Sequence, residues 1–139
     1  MFKDVSWPAV AAGGVFNWLF GGLWFGPLMG WWFQQIVPGA GSVIGFSLAG
    51  MVGLGLSLVV ATGLATVMAR TGTRTIGGAL AIALVVCIAF DSTVYAAYIS
   101  AGERPQLQLF IAIYDLVSYT LTAVVVRLLT RDRAAAVRT

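Results

Sequence analysis

Two aspartates in the C-terminal half of the chain are the residues best able to do chemistry. Asp91 lies nine residues before the end of the apolar segment Ile76–Ser100, and Asp115 lies eight residues after Leu107, where the next apolar segment starts. If both segments are antiparallel helices, each carboxylate lies roughly 12–14 Å from the same membrane surface. Two neighbouring carboxylates in a medium of low dielectric constant do not both stay ionised, so the pair would share a proton or bind a small cation or amine.

Polar residues at helical spacing surround each aspartate. Those after Asp91 fall at i+4 and i+7. The residues that share one helix face with Asp115 are Gln108, Ser118, Tyr119 and Thr122. A further polar residue lies near the middle of the first apolar segment. The predicted proton- or solute-binding site comprises Asp91, Asp115, Tyr95, Tyr98, Tyr119, Ser118 and Asn17. The sequence leaves a second interpretation open, in which the aspartates only hydrogen-bond between helices and fix their register.

The composition places the elements that carry these residues in a lipid bilayer. Of 139 residues, 60% are hydrophobic and 9% are charged, whereas a soluble domain has roughly 25% charged residues. The net charge of +3 comes from arginines that flank the apolar segments, which is not the pattern of a nucleic-acid surface. Cys87 is the only cysteine and there is no histidine, so disulfides and the usual ligands of zinc and haem are missing. We therefore expect no metal, no cofactor and no nucleic-acid partner.

Four apolar segments are long enough to cross a membrane as helices. The sequence predicts an all-α integral membrane bundle of four transmembrane helices in a single domain, 1–139. The helices are expected at roughly 8–30, 43–70, 76–100 and 107–129, followed by a basic C-terminal tail at 130–139. Pro27 is expected to kink or end the first helix, because it lacks an amide hydrogen. Seven of the eight Lys and Arg residues lie at the N-terminus, at or beside the second connection, or at the end of the last helix and in the tail. The positive-inside rule then places both termini in the cytoplasm.

Small residues recur at every fourth position along the second predicted helix. The residues predicted to form this packing surface are Gly45, Ala49, Gly53, Ser57 and Ala61. In lipid, such a surface allows the backbone of another helix to approach closely. The pattern fits packing within one copy, a homodimer or association with a larger membrane complex, and the sequence leaves these partners open.

Catalytic motifs known from enzymes are absent from the sequence. There is no histidine, no pair of thiols, no Gly-x-Ser-x-Gly motif and no phosphate-binding loop. An intramembrane aspartyl protease would also use two aspartates that share a proton. However, the segments Phe-Asp-Ser-Thr and Tyr-Asp-Leu-Val lack the flanking glycines expected of such proteases. We therefore expect a protein that is not an enzyme.

Two segments together resemble a known family. The first, residues 7–33, contains a Gly-x-x-Trp-aromatic-x-Pro turn at residues 21–27. The second, residues 103–126, contains Arg104-Pro105 and the run Tyr114–Ser118. They resemble DUF1761, a bacterial family of small polytopic membrane proteins. The resemblance implies a four-helix protein of the bacterial inner (cytoplasmic) membrane with no established activity. Relatives often have histidine at the position of Asp115, so a protonatable role could carry over but a role specific to histidine could not.

These observations predict a small membrane protein that binds or passes a small solute or a proton at an intramembrane carboxylate site. The alternative is an accessory or scaffold subunit that packs against a larger membrane complex or binds lipid. The two differ in the expected effect of Asp91→Asn. The substitution abolishes a pH-dependent flux or a ligand-induced stabilisation in the first case, and has little effect in the second.

Overall fold

The computed structural model describes residues 5–39, 48–100, 102 and 104–136, and the regular structure of these residues is entirely helical. Its five α-helices are α1 (Trp7–Leu23), α2 (Gly30–Ile36), α3 (Leu48–Arg70), α4 (Ile76–Ser100) and α5 (Pro105–Ala136). A π-helical turn, Trp24–Leu28, joins α1 to α2. The predicted all-α fold class is confirmed.

Four helical segments in the described part of the chain are long and apolar enough to cross a membrane. They are Trp7–Leu28, Gly50–Arg70, Ile76–Ala97 and Pro105–Thr130. Many apolar side chains point outward, among them Val59, Val85 and Ile88, which are 66%, 67% and 64% exposed. Such faces suit contact with acyl chains, and a helix satisfies its own backbone hydrogen bonds where no water can. The chain is therefore a multi-pass membrane protein, as predicted.

The first membrane-spanning segment is not one straight helix. α1 ends at Leu23, and Gly26 has a non-helical backbone (φ −102°, ψ −108°) within the π-helical turn that precedes α2. Pro27 lies in the same turn. Proline has no amide hydrogen to donate and its ring crowds the preceding turn, so an α-helix is interrupted there. The helix predicted at 8–30 is corrected accordingly, with its kink at the expected proline.

The other helix bounds lie close to the predicted ones. α4 spans Ile76–Ser100, and α5 starts at Pro105, two residues before the predicted 107. Proline is favoured in the first turn of a helix, because its missing amide hydrogen would have no partner there. α5 continues to Ala136, so the predicted tail is helical up to that residue. Residues 43–47 of the predicted second helix lie outside the described residues.

The long helices leave a seam between α3 and α4. α1 packs along both α3 and α5, and α4 packs along α5, whereas α3 and α4 contact each other much less. Near the short connection between them, Leu64 of α3 and Ala79 of α4 belong to one buried core. Farther along the two helices, the seam widens into the groove described below.

Aromatic contacts hold the kinked end of α1 against α5. Trp24 of the π-helical turn and Phe110 of α5 are both buried, and their ring centroids lie 6.2 Å apart. At the adjoining loop, Arg104 Nη1 donates a hydrogen bond to the Ile36 carbonyl oxygen at 2.6 Å, which ties the end of α2 to the start of α5. These contacts keep α1 and α5 side by side, the arrangement on which the polar site depends.

Candidate functional site

A buried asparagine joins three of the transmembrane helices. Asn17 of α1 is 5% exposed. Its Nδ2 donates a hydrogen bond to Ser57 Oγ of α3 at 3.1 Å, and its Oδ1 accepts hydrogen bonds from the hydroxyls of Ser118 and Thr122 of α5. We call these four residues the Asn17 hub. Because an unmatched polar group is costly in the bilayer core, these bonds fix the rotation and depth of the three helices.

Asp91 is buried on α4. It is 7% exposed, and one of its carboxylate oxygens accepts a hydrogen bond from Cys87 Sγ at 3.0 Å, one turn earlier in the same helix. A thiol is a weak donor, so this bond compensates only part of the cost of burying a carboxylate. Tyr95, one turn after Asp91, has a buried hydroxyl that finds no hydrogen-bond partner among the described residues.

Asp115 of α5 lies within electrostatic range of Asp91 across the α4–α5 interface. Tyr95 and Tyr119 are also within electrostatic range of both carboxylates. We call Asp91, Asp115, Tyr95, Tyr119 and Cys87 the acid cluster. No hydrogen bond joins the two aspartates. Within the described ranges, no side chain donates a hydrogen bond to Asp115 or forms an ion pair with it. The antiparallel packing of α4 and α5 therefore brings the two acids near each other without satisfying either fully.

A groove of about 470 Å³ lies between α3 and α4, and Asp115 is on its wall. Its lining residues come from all four membrane-spanning segments. The polar part of the lining consists of Asn17, Ser57, Tyr114, Asp115, Ser118 and Tyr119. Asp91 is not on the wall, so the two predicted acids differ in their access to this space.

A second cavity of about 450 Å³ lies between α1 and α3. It shares Gly53, Ser57 and Tyr114 with the groove. Trp18 lines it and donates a hydrogen bond from Nε1 to the Gly50 carbonyl oxygen at 2.9 Å. Its lining residues include no carboxylate, so of these two spaces the groove is the one with acidic chemistry.

The small residues predicted as the packing surface of α3 divide between the core and the cavities. Ser57 and Ala61 are buried, at 6% and 0% exposed. Gly53 lines both cavities. Gly45 lies outside the described residues, and for Ala49 only the backbone is described.

Two members of the polar site, Ser57 and Cys87, are additions to the predicted set, whereas Thr122 belongs to the polar helix face predicted around Asp115. Ser57 is predicted only as a packing residue, but its hydroxyl is a hub acceptor. The Thr122 hydroxyl donates a hydrogen bond to Asn17, and the Cys87 thiol donates one to Asp91. Helical spacing is the signal in the sequence that points to both residues. Thr122 is four residues after Ser118 and Cys87 is four residues before Asp91, so each shares a helix face with a predicted site residue. The side chain of Tyr98, also predicted for the site, lies outside the described part of the chain.

Comparison with known families tests the resemblance noted in the sequence. Residues 8–127 match the family described as protein of unknown function (DUF1761). The chain belongs to the DUF1761 family. The matched range extends into all four membrane-spanning segments of this DUF1761 protein. It includes every residue of the Asn17 hub and the acid cluster. No curated protein and no solved structure matches the chain.

The site of this DUF1761 protein presents one carboxylate, one amide and several hydroxyls to a space within the membrane. An ionised carboxylate only accepts hydrogen bonds, whereas a protonated one also donates. The arrangement can therefore hold a proton or accept hydrogen bonds from a cationic group such as an amine. The hub hydroxyls on the same wall can orient a bound molecule.

Proposed function

We propose that this DUF1761 protein is a binding or transport protein, and not an enzyme, that takes up a proton or a small cationic solute at Asp115. The observation that carries the proposal is the Asp115 carboxylate, which lies on the wall of the groove with no described hydrogen-bond donor or ion-pair partner. A lone aspartate near the centre of a transmembrane helix opposes insertion by about 2.5–3.5 kcal/mol. A group with that cost and no structural partner is better explained by a ligand than by helix packing.

The two polar clusters support different roles. In the Asn17 hub, both polar atoms of the amide are matched with hydroxyls from neighbouring helices, as expected of a group that fixes helix register. In the acid cluster, Asp91 receives one hydrogen bond from its own helix, and the buried Tyr95 hydroxyl has no described partner. Because the Asn17 hub already fixes the register of the helices, the acid cluster is not needed for that purpose. It is therefore the better candidate for binding a ligand.

We further propose that the protein lies in the bacterial inner membrane with both termini in the cytoplasm. The support is the distribution of basic residues in the sequence, seven of eight of which fall on the predicted cytoplasmic side. Arg104 is the exception, in the connection between α4 and α5. In this orientation Asp115 lies inside the bilayer, ten positions from the nearer end of its span Pro105–Thr130.

Asp115→Asn is expected to reduce solute binding or proton flux at least tenfold while leaving the fold intact. A hydrogen bond to a charged group is worth about 1.5–3 kcal/mol, and about 1.4 kcal/mol corresponds to tenfold. The measurements are the shift in unfolding midpoint on adding ethylammonium, and acidification of vesicles containing the reconstituted protein under an imposed membrane potential. Asp132→Asn is the matched control, because it removes the same charge beyond the last membrane-spanning segment.

The proposal is wrong if the wild-type protein shows neither response. It is also wrong if Asp91→Asn and Asp115→Asn both keep the wild-type response. Unchanged variants together with stable co-purification of a larger membrane assembly would favour the alternative of an accessory or scaffold subunit.

A further inference from the structure

We infer that the groove binds an amphiphilic amine, with one cationic nitrogen and a single apolar tail, and that this ligand enters sideways from the bilayer between α3 and α4. The inference rests on the proposed function, because the nitrogen would be held by Asp115. The inference adds the class of ligand and its route of entry. The route follows from the exposed rim of the groove, and the class follows from the polarity, charge and volume of the groove.

The mouth of the groove opens to lipid. The rim residues Leu56 and Val59 of α3 and Phe90 of α4 are 61%, 66% and 61% exposed. On α4 and α5, the lining residues lie seven or more positions from either end of their membrane-spanning segments, which is roughly 10 Å of helix. A molecule that enters between these rim residues comes from the bilayer, which favours an amphiphile over a hydrophilic ion.

The exposed lining residues of the groove are apolar, whereas Asn17, Ser57, Ser118 and Tyr119 of its polar lining are buried. Its apolar lining is formed by Leu56, Val59, Val60, Val86 and Phe90 of α3 and α4. The carboxylate, the amide and the hydroxyls come from α1 and α5, except for the Ser57 hydroxyl, which comes from α3. A ligand with an apolar tail and a polar head matches this order, since the tail stays among aliphatic side chains and the head reaches the hydrogen-bonding groups.

The charge of the site selects a cationic head. Asp115 and Asp91 are within electrostatic range of each other. The lining of the groove includes no lysine or arginine. An anionic head would be repelled, whereas an amine compensates the carboxylate and gains attraction from the neighbouring ring of Tyr119.

The volume fits one alkyl chain. About 470 Å³ corresponds to roughly fifteen groups the size of a water molecule, at about 30 Å³ each. Decylamine, with ten carbons and one nitrogen, is therefore a suitable probe. Decanol is the neutral probe of equal length, and ethylamine is the short cationic probe.

Two glycines on α3 make a matched pair for testing the groove. An added Cβ meets no atom within 4 Å at either Gly63 or Gly55, so a side chain can start from both positions without a clash at Cβ. Gly63 lines the groove, and Gly55 does not. The two substitutions therefore differ in whether the new side chain occupies the groove.

The experiment measures saturable binding of radiolabelled decylamine to the protein in lipid nanodiscs, with empty nanodiscs subtracted. We expect wild-type protein to bind decylamine at least tenfold more tightly than decanol. Gly63→Leu should weaken decylamine binding at least tenfold, Gly55→Leu should change it less than twofold, and Asp115→Asn should reduce it to the level of decanol.

Three results would overturn the amphiphilic amine as the ligand without overturning the proposed function, and a fourth would overturn both. Asp115-dependent binding of ethylamine without saturable decylamine binding would overturn the amphiphilic ligand and keep the proposed function. Equal binding of decylamine and decanol would show an apolar lipid site without charge selection. A loss of dimer mass in Gly63→Leu, measured by light scattering, would show that a second copy occupies the groove. Absence of both ethylamine and decylamine binding, together with absence of proton flux, would overturn the inference and the proposed function.

Discussion

Asn17→Leu is expected to lower the free energy of unfolding by about 2 kcal/mol, and by up to about 5 kcal/mol. The substitution removes three interhelical hydrogen bonds at once, and such bonds in membranes are worth about 0.6 kcal/mol on average and about 1.7 at most. The lower value applies if the released hydroxyls of Ser57, Ser118 and Thr122 turn to carbonyls of their own helices. Leucine has the same branching at Cγ as asparagine but two larger methyl groups, so overpacking adds to the loss of hydrogen bonding.

The measurement is reversible unfolding by sodium dodecyl sulfate in mixed micelles, followed by circular dichroism. Thr62→Val is the matched control in the same bundle, because Thr62 Oγ1 donates only to the Leu58 carbonyl oxygen of its own helix, at 2.7 Å. Loss of that bond leaves the helix backbone bonded, and we expect a change below about 0.5 kcal/mol. If Asn17→Leu costs no more than Thr62→Val, the Asn17 hub does not hold the helices together.

Gly14→Leu is expected to cost about 3 kcal/mol or more and to separate α1 from α3. An added Cβ at Gly14 would lie 2.5 Å from Leu58 Cδ2 and 3.0 Å from Leu58 Cα. The methyl group can rotate away, but the backbone atom cannot, so the helices themselves must move. Overpacking of a close contact usually costs about 1–3 kcal/mol and sometimes more. Gly14→Ala should give a smaller loss within that range.

Gly55→Leu is the control for the glycine prediction, measured by the same unfolding titration. It places the same side chain on α3, where the added Cβ meets nothing within 4 Å. Removing a glycine from a helix interior stabilises it by up to about 1 kcal/mol, so we expect unchanged or slightly increased stability. Equal losses for Gly14→Leu and Gly55→Leu would show that the close approach of α1 and α3 is not required.

The fold class follows from the sequence because it depends on local properties. Four segments are apolar over the thickness of a bilayer, and backbone groups in lipid must bond within their own segment, so each becomes a helix. The interruption at Pro27 is equally local, since it depends on one missing amide hydrogen. A similar depth for Asp91 and Asp115 is within reach of sequence reasoning too, because a short connection and a fixed rise per residue set it.

The Asn17 hub and the groove were decided by the tertiary structure. The membrane-spanning segments are apolar on nearly every side, so hydrophobic periodicity does not show which face meets which neighbour. In lipid that choice depends on side-chain shape and on matching polar groups. The close contact of Gly14 with Leu58 brings α1 onto α3, and the bond from Asn17 to Ser57 turns a predicted packing residue into a polar partner. The groove exists because α3 and α4 each pack mainly on another helix, a consequence of lateral packing that no local pattern encodes.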